Sequence, residues 1–305
     1  MNYSIIVNQV FTLFIVMIVG VIARKKGYIN EQVNRKLSDI LLHVTSPMLI
    51  FSSFLFEFSK EKLVTAGYVS IFAVLMFFLS ILSAEFVFKK VSDDAKGVMK
   101  ASLVFSNCGY MGIPVIGAVA GKEGVFYASI FVIVFLIFLY TYGIVLFDGG
   151  SVFKSLKKAL VSPALLAVYI GFPVFLFQIK VPEFIVNAAD MTGAMTMPLA
   201  MIIVGAIFAG SDIKKMLKDK RVYYGSFIRL VLIPLITLGI GKAAGLPENA
   251  VKYCVILFGM PVAANVVVFA EKFESNSFLA SKLVTISTLF SIITIPLVLL
   301  LIGWI

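Results

Sequence analysis

The chain has 305 residues, 61% of them apolar and 14% charged, with a mean hydropathy of +1.05. Soluble domains carry about 45–50% apolar and about 25% charged residues, so lipid must be the solvent for most of this length, and no room remains for a soluble catalytic domain. The net charge of +10 would suit nucleic acid, but the basic residues fall between apolar runs, so no nucleic-acid partner is expected.

Ten apolar runs are long enough to span a bilayer, over about 4–23, 37–57, 62–88, 100–120, 124–147, 160–179, 183–210, 222–243, 249–270 and 278–304. The first has no basic residue before it and Arg24, Lys25 and Lys26 after it, the reverse of a secretory signal, so it is expected to be a retained span. The two cysteines, Cys108 and Cys254, lie inside apolar stretches and suit small core residues better than a disulfide. Connectors one, three, five, seven and nine, with the span ends beside them, hold nineteen of the 26 Lys and Arg residues; the other four hold six. Basic residues stay cytoplasmic, which predicts a multi-pass protein of the cell membrane, such as a bacterial inner membrane, with both termini outside.

A repeat appears at an offset near half the chain. Gly112-Ile-Pro114-Val in the fourth span recurs as Gly259-Met-Pro261-Val in the ninth, 147 residues later, and Ser46-Pro47-Met-Leu-Ile in the second recurs as Met197-Pro198-Leu-Ala-Met-Ile in the seventh, 151 residues later. Five spans per half means that the second half enters from the opposite side. The expected fold is therefore an all-α polytopic membrane protein of ten transmembrane helices, in two inverted five-helix repeats over 1–147 and 161–305, joined by a short cytoplasmic linker at 148–160.

Proline in mid-span removes a donor and displaces the carbonyl four residues earlier, which would free Tyr110 ahead of Pro114 and Leu257 ahead of Pro261. Unsatisfied backbone survives in a bilayer only inside protein or beside a wet cavity, so the fourth and ninth spans are expected to be broken and to cross, offering helix ends to a solute. Ordinary kinks for packing are the alternative, since Pro and Gly are common in spans. Residues 101–120 and 251–270 contain no acid, whereas a buried cation would need a carboxylate; the polar groups there are Ser106, Asn107 and Asn265. A small carboxylate is the preferred solute.

Three further groups are candidates for coupling. Asp190 lies about 10 Å along its span from Glu183, and Arg229 about 12 Å from Arg221, so the two could approach as an ion pair or as a coupling site. His43, the only histidine, stands one turn before Pro47 and could accept a proton or make a structural hydrogen bond. Asp39, Glu85, Glu271 and Lys282 sit near span ends, where they can reach water. No His-Glu-x-x-His or paired intramembrane Asp motif occurs, so no enzyme activity, metal or cofactor is expected.

These segments resemble the auxin efflux carrier family, which is related to the bile acid/sodium symporters. Asn107 to Pro114 is similar to the family's Asn-x-x-x-Met-Gly-Ile-Pro segment, and Val268 to Phe273, Arg24 to Ile29 and Met197 to Gly205 also look like recurring family segments. The resemblance implies a secondary transporter of small organic anions working by alternating access, often as a homodimer, with Asn107, Met111, Gly112, Pro114, Gly259, Pro261 and Asn265 around the substrate. The plant members have a long hydrophilic segment between the halves and a second proline where this chain has Val266, differences that count against auxin itself. The related alternative is a sodium- or proton-coupled symporter of the bile acid type, since carbonyls also bind sodium. A channel or sensor is a third class.

Overall fold

Every regular element in the described part of the chain is a helix, as a bilayer requires of a backbone that finds no water to bond. The computed structural model describes residues 3–147, 153, 156–157, 160–210 and 219–303; most of the expected linker 148–160, and with it much of one basic connector, lies outside the described residues. In chain order the helices are α1 (Tyr3–Lys25), α2 (Glu31–Ile40), α3 (Ser46–Ser52), α4 (Lys60–Val87), α5 (Asp93–Val104), α6 (Ile113–Tyr140), α7 (Tyr142–Leu146), α8 (Pro163–Phe177), α9 (Glu183–Ala194), α10 (Thr196–Ala209), α11 (Lys220–Phe227), α12 (Ile233–Ala243), α13 (Glu248–Phe258), α14 (Asn265–Lys272) and α15 (Ser277–Gly303). Among the described residues five helical runs are long and apolar enough to cross a membrane: Lys60–Val87, Cys108–Leu146, Glu183–Ala209, Lys220–Ala243 and Ser277–Gly303.

Three helical runs contain one π-turn each, at Leu41–Thr45, Cys108–Gly112 and Ile228–Leu232, and in all three a proline stands two residues beyond it: Pro47, Pro114 and Pro234. The residue four before each proline, His43, Tyr110 or Leu230, is the centre of the turn. The wider turn makes room for the ring where a regular α-turn would clash, so proline here widens one turn without ending the helix.

The fold divides into two compact units. The first comprises Met1–Ala66, Gly109–Ile130 and Leu160–Ser211, the second Gly67–Cys108, Phe131–Ala159 and Asp212–Ile305, so each takes helices from both sequence halves. In the first unit α1 and α10 approach backbone to backbone: a Cβ on Gly20 would stand 2.2 Å from the carbonyl oxygen of Ile202, and one on Gly205 2.0 Å from that of Met17. Small residues at such a seam let dispersion contacts form where lipid offers no hydrophobic drive. Phe54, Phe126, Phe172 and Phe175 form an aromatic cluster in the same unit, with Phe54 lying over Gly171.

The second unit is held by Phe77, Phe131 and Phe258, whose ring centroids lie 4.9 to 5.7 Å apart. Its polar ties sit toward the helix ends. The ammonium of Lys100, a buried residue, bonds the Glu85 carboxylate, whose other oxygen accepts from Tyr142 Oη at 3.2 Å. Asp219 caps α11 by accepting from the Arg221 main-chain N–H and pairs with that guanidinium at 2.9 and 3.0 Å. Lys282, expected to reach water, is instead buried and stands 3.4 Å from Asp219, because α11 covers the start of α15.

Candidate functional site

Two helices of the second unit stop in mid-protein and meet. α5 ends at Val104 and the helix resumes at Cys108; α13 ends at Phe258 and α14 begins at Asn265. The interrupted segments lie antiparallel and form one isolated bridge, Ser106 with Val262. Asn107 donates its main-chain N–H to the carbonyl of Pro261 at 2.7 Å, and Ala263 donates to Phe105 at 3.0 Å. Both of the runs expected to be broken are thus interrupted, and the two interruptions pair with each other. The position of the first interruption differs: it was expected at Gly112–Pro114 and lies at Phe105–Asn107, because the π-turn at Cys108–Gly112 absorbs Pro114 and leaves that part helical. Pro261 does lie in the second interruption.

The bonding of the freed carbonyls can be followed one by one. Gly259 N–H returns to Val255 at 2.8 Å, and Met260 N–H to Leu257 at 3.5 Å. The remaining carbonyls at the two helix ends are taken by Arg229, whose Nη1 donates to Leu103 at 2.6 Å and to Val104 at 3.4 Å, Nε to Met260 at 3.1 Å, and Nη2 to Phe258. Arg229 is 0% exposed, and it reaches this place because it belongs to the π-turn between α11 and α12. On α15, Ser287 accepts the Val262 N–H at 3.1 Å while donating to Val284 at 3.2 Å, so the second interruption is braced from a third helix.

This arrangement fixes the sign of the local field. Each helix end carries roughly half an elementary charge, so two C-terminal ends together present about one negative charge, which a single guanidinium offsets. The helices leaving the crossing, at Cys108 and at Asn265, point N-terminal ends toward it, and their first N–H groups have no intrahelical acceptor. Residues 101–120 and 251–270 contain no acid, so no carboxylate of these segments offsets the N-terminal ends at Cys108 and Asn265. Ser106 adds a hydroxyl that is wholly buried and has no hydrogen-bond partner.

Of the expected site residues, Asn107, Gly259, Pro261 and Asn265 are brought together in the second unit; Asn107 is 6% exposed and Asn265 is half-buried at the start of α14. Met111, Gly112 and Pro114 follow in the same chain, buried, in the part that belongs to the first unit. Arg229 and Asp190 do not pair as envisaged. Asp190 lies 2.6 Å from the ammonium of Lys122, which follows a kink at Gly121 (φ 60°, ψ −152°) that only glycine adopts readily. His43 is exposed, with Nδ1 2.9 Å from the Asp39 carbonyl, which is the structural hydrogen bond of the two roles weighed for it. Ser287 and the carbonyl shell of Arg229 were missed; the one sequence signal was an arginine in an apolar run with no acid at helical spacing.

Residues 5–299 match the family described as Membrane transport protein. The chain belongs to it. Its motifs are those of the auxin efflux carriers, and this membrane transport protein is 24% identical to an uncharacterized transporter of Methanocaldococcus jannaschii over 98% of both chains. It is also 23% identical to an uncharacterized transporter of Methanothermobacter thermautotrophicus, over 95% of this chain and 96% of that one. The match spans both interruptions and Arg229, so the crossing lies within what the family profile describes.

Proposed function

We propose that this protein is a secondary transporter that moves a small organic carboxylate across the cell membrane by alternating access. The solute is held at the crossing, its charge facing the helix N-termini near Asn107 and Asn265, with the Ser106 hydroxyl as a further donor and Gly259 and Pro261 shaping the backbone around it. The observation that carries this reading is the buried Arg229 at the C-terminal ends of both interrupted helices, in segments without a single acid. Cancelling the negative ends leaves the positive ones uncompensated until an anion arrives.

Ten spans in two inverted repeats, joined near 148–160 and with both termini outside, belong to the same proposal, as does pairing of two copies as a homodimer. The two interruptions and the basic asymmetry of the connectors support that topology. His43 and Asp190, each with a partner nearby, are left as secondary candidates for coupling.

The test is electrical recording from proteoliposomes on a supported membrane, with a panel of mono- and dicarboxylates and of organic cations as controls. Carboxylate-evoked currents with saturating, carrier-like kinetics are expected. Currents evoked by the cations alone, or conductance that never saturates, would replace this reading with a cation carrier or a channel.

A further inference from the structure

Two helix C-termini that meet inside a protein make a cation site. Carbonyl oxygens from Leu103 and Val104 on one side and from Phe258 and Met260 on the other surround one guanidinium group, and oxygen donors of this kind are what hard cations take. In this chain the position is filled by a covalently attached cation. We propose that Arg229 is a resident counter-cation occupying the place where a coupling ion would otherwise bind, so that transport through the crossing needs no sodium or other free cation.

The surroundings leave no charge for a second one. Residues 101–120 and 251–270 contain no acid, and two carboxylates of the second unit have cations of their own, Glu85 with Lys100 and Asp219 with Arg221 and Lys282. A free cation beside the guanidinium would meet repulsion in a dry setting where charges are weakly screened, whereas a carboxylate completes the balance. Because Arg229 is tethered, it returns with every cycle and no cation leaves the crossing with the solute. The residue is thus a positioning group: it acts through the helix ends it neutralises. The inference extends the carboxylate reading to its energetics, yet the geometry that supports it stands without any solute.

The experiment has one arm that uses no substrate. Purified protein is unfolded thermally in N-methylglucamine chloride, and again with sodium chloride, with tens of millimolar guanidinium chloride, or with equal urea. The wild-type unfolding temperature is expected to be the same in all four. Arg229→Ala is expected to unfold several degrees lower and to regain part of that loss with guanidinium but not with urea, since a ligand that binds only the folded state raises its stability. In the transport arm, wild-type carboxylate flux is expected to be unchanged when sodium is replaced, and Arg229→Ala to lose roughly tenfold or more, the scale of a lost charged hydrogen bond, with recovery in guanidinium.

Sodium stabilising the wild type, sodium-dependent wild-type flux, or a folded Arg229→Ala indifferent to guanidinium would each overturn the proposal. If Arg229→Ala does not fold, Arg229→Lys takes its place: flux that persists without sodium supports the resident cation, and folded protein without flux opposes it. Absence of carboxylate transport with guanidinium rescue in the unfolding arm would sink the solute assignment alone.

Discussion

The hydroxyl of Ser287 accepts the main-chain N–H of Val262 at 3.1 Å, from a helix that is itself continuous to the interruption that α13 and α14 leave between them. Without it, a fully buried donor would be stranded: both residues are 0% exposed. Ser287→Ala should therefore cost about 1–3 kcal/mol, the penalty for an unsatisfied buried group, and loosen the geometry beside the bridge. Thermal unfolding in detergent should show the loss, together with a reduced transport rate. A variant as stable as the wild type would mean that another group satisfies Val262.

Gly205 and Gly20 make a second stability claim, this time about the first unit. Adding a methyl at Gly205 would bring it to 2.0 Å from the Met17 carbonyl oxygen, and at Gly20 to 2.2 Å from that of Ile202; in both cases the obstacle is backbone, which cannot rotate away. Gly205→Ala is expected to destabilise by about 1–3 kcal/mol as α1 and α10 are forced apart. Gly67→Ala is the control. A Cβ there meets nothing within 4 Å, so it should be neutral or stabilising by up to about 1 kcal/mol through lower unfolded-state entropy. Equal melting temperatures for the two variants would refute the close approach.

Helix was legible because lipid writes its demand as long apolar runs, and among the described residues five helical runs are long and apolar enough to cross a membrane. The interruption in the ninth span was legible as well, since Pro261 stands in it. The one in the fourth was displaced by several residues. Proline at 114 signals a missing donor but does not say whether the chain answers by breaking or by widening one turn, and here it widens, with the break at Phe105–Asn107 set by pairing across to Val262. Long-range partners were beyond reach for the same reason: Arg229 bonds carbonyls 29 to 126 residues away, and every residue has a carbonyl, so no side-chain pattern marks those recipients. Lys282 illustrates the remaining gap, because whether a lysine near a span end reaches water depends on what covers it.

Acid should loosen the start of α11. Asp219 is held down to about 2 by the hydrogen bonds from Arg221, with Lys282 adding to the attraction. A carboxylate whose folded value lies below its unfolded value of about 3.9 contributes stability that is complete above the unfolded value and disappears as pH falls through the folded one. Stability from this group should thus be flat from neutral pH to about 5 and decline between about 4 and 2. Asp219→Asn should lower the melting temperature at neutral pH and flatten that acid limb. An unchanged limb in the variant would assign the acid sensitivity to other carboxylates.

Asn107 tests the crossing directly, because a bond it makes across it comes from its main chain. The N–H donated to Pro261 at 2.7 Å is present whatever side chain the residue carries, and so is the adjoining bridge between Ser106 and Val262. Asn107→Ala removes an amide that can both donate and accept beside the helix end at Cys108, yet leaves the interruption pinned. Carboxylate flux in proteoliposomes should fall by roughly tenfold, the worth of one hydrogen bond to a charged group. Asn107→Asp sharpens the point: it keeps the shape but adds negative charge where the solute's own charge belongs, and should abolish flux rather than weaken it. Full activity in the aspartate variant would show that no anion comes near this position, and would take with it the argument that the crossing selects for negative charge.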